Sequence, residues 1–176
     1  MAPSSPLQGR RCARRYVRKL VPNMYKEEDI KVLKGKDVIK KRPEMYFGSR
    51  GINPDTICSA IIETALIFGA KKTQVNVING WQFICSDLDW MVAKNVVAEV
   101  NEDSLFENIF GFPEMGVNCL RWEAFTTYFS DATLTTNQFG TKVISGSNTD
   151  KNEYESLVKD FIQWGRIIGF KFNAEA

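Results

Sequence analysis

Catalysis needs side chains that move protons, attack electrophiles or hold metals, and this chain is short of all three. Its 176 residues contain no histidine. That excludes Ser-His-Asp and Cys-His relays and histidine-based nuclease chemistry, which depend on a base titrating near neutrality. The four cysteines, Cys12, Cys58, Cys85 and Cys119, are far apart, and no pair has C-x-x-C spacing. A zinc site would have to gather all four. They read instead as reduced thiols of a cytoplasmic protein, three of them in the core. The abundant ionisable type is the carboxylate. Between Asp87 and Glu123 stand Asp87, Asp89, Glu99, Glu102, Asp103, Glu107, Glu114 and Glu123, opposed only by Lys94 and Arg121, a net of −6. No base, Walker loop or metal cluster accompanies them, so no catalytic role and no cofactor is expected.

The elements that must position these acids follow from periodicity. Acidic Glu27, Glu28 and Asp29 precede Lys40, Lys41 and Arg42, an order that suits a helix dipole. Gly35 divides the run, which predicts a helix over 36–42 stopped by Pro43. Asn53-Pro54 is a cap followed by proline at the first helical position. Ile57, Ile61, Ala65 and Phe68 then share one face, and Gly69 ends this buried helix. Val75 and Val77 alternate before Asn79-Gly80, and Trp81, Phe83 and Cys85 alternate after it, which predicts a hairpin. Helical pieces are expected near 92–99 and 102–109, with a loop at Gly111-Phe112-Pro113. A helix over 117–129, a second hairpin (132–137 and 141–145, Gly140 in the turn) and a closing helix over 151–168 complete the chain. The predicted fold is an α/β two-layer sandwich, a mixed and mostly antiparallel sheet covered on one face by helices.

One domain is expected from the length, over 24–176. Residues 1–23 hold six basic residues and no acid, so the remainder is −4 although the whole chain is +2. This basic extension reads as an arm for nucleic acid or membrane, as a leader, or as sequence upstream of a natural start at Met24. In each case it is expected to be poorly ordered or peripheral to function. No apolar run approaches the ~18–20 residues of a membrane span.

Three stretches carry a resemblance. "IKVLKGKDVIKKRPEMYFG" resembles the opening segment of the gyrase B ATP-binding domain, of the GHKL superfamily of gyrases, heat-shock chaperones, histidine kinases and mismatch-repair ATPases. "ETALIFGAKKTQVNVINGWQFICSD" resembles the end of that family's first long helix and its hairpin. "GVNCLRWEAFTTYFSDATLTTNQFGTKV" resembles its post-lid helix and second hairpin. The resemblance spans about residues 30–145 and implies a GHKL-like fold. It also implies a base and a magnesium ligand on the long helix, but Thr56 and Ala60 stand at those positions. In the family's Asp-x-Gly-x-Gly motif, Asp87 matches the adenine-reading Asp, while Asp89 and Met91 replace the glycines and Trp90 lies between them. Of the glycine-rich lid only Gly116-Val117 matches. The resemblance therefore implies a pseudo-ATPase, with Asp87 the one residue suited to residual adenine binding.

A scaffold without chemistry points to binding. The acids, with Trp90, Phe106, Phe110, Phe112 and Trp122 among them, read either as a solvated face over a core or as an acidic docking surface with aromatic anchors. The candidate partner-binding residues are Asp87, Asp89, Trp90, Glu99, Glu102, Asp103, Phe106, Glu107 and Glu114. Such a surface suits a basic protein partner and disfavours nucleic acid. The expected role is a cytoplasmic immunity protein that neutralises a bacterial toxin, such as a nuclease of a contact-dependent growth-inhibition system. The alternatives are a regulatory protein that binds nucleotide, one that acts on gyrase, and a nucleic-acid binder using the basic arm.

Overall fold

A computed structural model describes residues 35–92, 101–161 and 163–173. The basic extension, the helical piece expected at 92–99 beyond Val92, and Glu99 lie outside the described residues. All of the described residues belong to one compact unit, Leu33–Ala176.

The early elements form where their local signals predict. Helix α1 is Gly35–Lys41 and the single turn α2 is Glu44–Phe47. Helix α3 is Pro54–Ile67, capped by Asn53, whose Oδ1 accepts the Thr56 N–H at 2.8 Å. Strands β1 (Thr73–Ile78) and β2 (Trp81–Ser86) are joined by Asn79 and Gly80. Both turn residues have positive φ, 51° and 81°, the geometry for which Asn-Gly is suited.

Two later predictions are corrected. The helix expected over 117–129 is only α5, Glu123–Tyr128. Before it, Phe110–Phe112 pairs with Cys119–Arg121: the Arg121 N–H donates to the Phe110 carbonyl at 2.9 Å and the Phe112 N–H to the Cys119 carbonyl at 2.8 Å. Gly116 and Asn118, both at positive φ, turn the chain between these arms and interrupt the helical period. Helix α4 is Glu102–Glu107. The second hairpin is β3 (Ser130–Asn137) and β4 (Gly140–Ser145). The closing helix expected over 151–168 is α6, Asn148–Val158, begun by a capping box between Ser147 and Asp150. One short 3₁₀ turn follows, and then a strand, β5, Arg166–Phe172.

Strand β5 builds the sheet, whose order is β1-β2-β5-β3-β4 with every pair antiparallel. It joins the two hairpins. Period-2 alternation sends Ile168 and Phe170 to one face with Ile84, where α3 and α5 supply Ile57, Ile61, Ala65, Phe125 and Phe129. Ile167 faces the other side with Trp81, Phe83, Cys85, Ala132 and Leu134, under Tyr154 and Val158 of α6. An α/β sandwich results, with α6 closing the second face of the central strands. The fit there is tight: a Cβ on Gly169 would lie 2.4 Å from Cε2 of Tyr154.

Candidate functional site

The acid-rich region begins where β2 ends. Asp87 is exposed, and its carboxylate accepts the Lys71 N–H at 3.0 Å. The main-chain N–H groups of Lys72 and Lys71 hold its carboxyl below the usual range, so it is ionised near neutrality. Its carbonyl lies against Gly165, where a Cβ would approach to 2.5 Å. The chain entering β5 therefore packs directly on the Asp87–Asp89 bend, and only glycine fits that contact.

The next residue along β5 is Arg166, and it changes the meaning of the neighbouring acids. Its side chain is 1% exposed. Nε and Nη2 donate to the two carboxylate oxygens of Asp89 at 2.8 and 2.7 Å, a bidentate pair. Nη1 donates to Oε1 of Glu102 at 2.9 Å and to Oγ1 of Thr135 at 3.0 Å. Asp89 and Glu102 thus neutralise a buried cation contributed by the centre of the sheet.

A second buried pair lies close by in sequence. Glu123 at the start of α5 is fully buried, and both its oxygens accept from Nε of Arg121 at 3.1 Å. Oε1 also accepts the indole N–H of Trp90 at 3.0 Å. The Arg121 guanidinium sits 5.3 Å from the Phe68 ring centre and 5.8 Å from that of Phe112. Trp90 and Phe106 are both 0% exposed. They belong to the hydrophobic core shared with Ile57, Ile61 and Phe125, and not to a solvent-facing anchor set.

The remaining candidates divide further. Asp103 pairs with Lys142 across the gap between α4 and β4, each about half exposed. Glu107 is exposed, and its main-chain carbonyl accepts the Tyr128 hydroxyl at 2.7 Å. Asp103, Phe106 and Glu107 line a cleft of about 1030 Å³ with Lys36, Tyr128 and Lys142. Glu114 is exposed in the loop before α5. The structure therefore gathers Asp89, Trp90 and Glu102 into internal networks. Asp87, Glu107 and Glu114 are left facing solvent.

Thr56 and Ala60 of α3 do local structural work. Thr56 donates from both its N–H and its hydroxyl to Oδ1 of Asn53. The Ala60 carbonyl accepts the Thr64 hydroxyl at 2.9 Å. Both line a shallow hollow of about 460 Å³ on α3, with Asp55 and Glu63 beside them. Asp87 does not line that hollow. Burial pushes the Cys58 and Cys85 thiols up to about 12, so neither supplies a thiolate near neutrality. Among the described residues no group of three or more metal-ligating side chains is gathered, and no helix is long and apolar enough to cross a membrane.

Sequence reasoning missed Arg166 altogether, because it lay inside the expected closing helix. The available signal was the alternation in "RIIGFKF" after Trp164-Gly165. No protein-family model matches the chain, and no curated protein matches it.

Proposed function

We propose that this chain is a non-catalytic protein-binding domain, an immunity protein that binds and neutralises a cognate bacterial toxin in the cytoplasm. A basic nuclease of a contact-dependent growth-inhibition system is the partner its charge suits best. One observation supports the non-catalytic part above others. Asp89 stands where the resemblance places a nucleotide-loop glycine, and its carboxylate is clamped by buried Arg166. A clamped carboxylate at a position the resemblance gives to glycine supports a site unsuited to nucleotide, as does fully buried Trp90 beside it in sequence. The solvent-facing acids Asp87, Glu107 and Glu114 supply attraction for a basic partner.

The second reading, a nucleotide-binding regulator, rests on Asp87, which is exposed and ionised. Calorimetric titration with ATP and ADP separates the two. No heat of binding is expected, and micromolar affinity would overturn the pseudo-ATPase reading. The toxin reading is tested by co-expressing the chain with the product of each open reading frame beside its gene that proves toxic alone. Restored growth is expected, and unrelieved toxicity would overturn the reading. Glu107→Lys and Glu114→Lys should slow association with that toxin, and added salt should shrink the difference.

A further inference from the structure

The two edges of the sheet are not equally defended. The β4 edge carries Lys142, tied to Asp103 of α4, and its ladder with β3 is broken by an irregularity at Thr133/Leu134. Charges and bulges of this kind discourage pairing with another strand. The β1 edge has neither. Its six residues, Thr-Gln-Val-Asn-Val-Ile, hold no charge and no proline, and its register with β2 is unbroken. Val75 is 38% exposed and Val77 63%.

The direction of its outward main-chain groups follows from the ladder. The Asp87 N–H donates to the Lys72 carbonyl at 3.1 Å, and Thr73 is the register partner of Ser86. Antiparallel alternation then aims the main-chain groups of Gln74, Asn76 and Ile78 at β2, and those of Thr73, Val75 and Val77 outward. No described residue pairs with that outward side.

We propose that β1 is the interface of a homodimer, in which two copies pair antiparallel about a two-fold axis at Val75. In this register Val75 opposes its own copy and Thr73 opposes Val77. All three outward residues of each strand then meet outward residues, exchanging about six main-chain hydrogen bonds. Lys72 falls opposite Ile78 and Lys71 opposite Asn79, so no like charges meet. A shift of one residue would set outward groups against inward ones. Parallel pairing would set the lysines of the two copies side by side. Antiparallel registers shifted by two residues also set outward groups against each other, but the one centred on Val75 alone pairs all three outward residues within the strands. It brings Val75 and Val77 of both copies onto one face as a cross-strand cluster. Because the contact is isologous it closes at two copies and yields a continuous sheet.

Sedimentation equilibrium of the full chain from micromolar to millimolar concentration tests this. The wild type should reach twice the monomer mass. Val75→Pro removes an outward N–H without touching the ladder to β2, a placement an edge strand tolerates. It should raise the dimer dissociation constant by about tenfold or more, from the hydrogen bonds lost in both copies. Val77→Lys should do the same by bringing charge to the joint, and it decides the matter if Val75→Pro does not fold. Val143→Lys on the opposite edge should dimerise like the wild type. A wild type that stays monomeric throughout would overturn the proposal, as would a Val77→Lys variant that dimerises normally or a Val143→Lys variant that does not dimerise.

Discussion

Replacing Arg166 with methionine tests the reading of the acidic region most directly. The arginine is 1% exposed, and its partners Asp89 and Glu102 are 21% and 27% exposed. Methionine fills much of the same space but leaves two carboxylates facing each other without a cation. Breaking a buried pair by removing one partner costs about 3–5 kcal/mol. Here both acids keep some contact with water and can rehydrate, so the loss should be near the lower end, about 3 kcal/mol. For a chain of this length that corresponds to a fall in Tm of roughly 6–12 °C. Neutralising the orphaned acids as well, in Arg166→Met/Asp89→Asn/Glu102→Gln, should recover at least about half of the loss, since no uncompensated charge remains. Urea unfolding followed by circular dichroism and tryptophan fluorescence measures both. The deficit of the single variant should shrink only in part in 1 M salt, where the Debye length is about 3 Å, because the two acids meet solvent on one side only. A single variant within about 0.5 kcal/mol of wild type, the range of ordinary surface changes, would refute the buried-network reasoning. So would a triple variant no more stable than the single one.

Other predictions follow from single contacts. Gly169→Ala forces a Cβ into the Tyr154 ring and should cost about 1–3 kcal/mol; an unchanged urea midpoint would argue against α6 lying over β5. Asn53→Ala removes the α3 cap and should cost about 1 kcal/mol in the same assay. Asp87 is held below its ordinary pKa of 3.8 by the N–H groups of Lys72 and Lys71, and Asp150 by the side chain and N–H of Ser147. A lowered carboxyl pKa stabilises the fold above the unfolded value, and that stability is lost as pH falls through the folded value. Tm should therefore drop on the acid side of about pH 4, and Asp87→Asn/Asp150→Asn should flatten that limb. Cys58 and Cys85, with thiols near 12, should resist a brief iodoacetamide pulse at mildly alkaline pH until urea unfolds the protein, as peptide mass spectrometry would show.

The parts of the fold that were legible in the sequence are those decided within a few residues. Asn53-Pro54 announces α3, because an N-cap and a proline act on the adjoining turn alone. Asn79-Gly80 announces the first hairpin, because few other pairs accept two positive φ values. Strand β5 escaped because Trp164 and Ile168 are four residues apart and imitate a helical face continued from Tyr154, Leu157 and Val158. The charge of the acids is visible in the sequence, and the counter-ion of Asp89 and Glu102 is not. Arg166 lies 77 residues from Asp89 and 64 from Glu102.

By itself the sequence determined one chemistry that is unavailable: there is no histidine to shuttle protons. Composition suffices for such exclusions, since a missing functional group cannot be supplied by folding. It also determined the local elements whose caps and turns are short-range. Only the tertiary structure decided which strand stands at the centre of the sheet, because that depends on two hairpins needing a common antiparallel partner. It decided too which carboxylates face water. A charge's environment is set by whatever the fold brings within a few ångströms, so Asp89 became the internal partner of Arg166 while Asp87, two residues earlier, stayed at the surface.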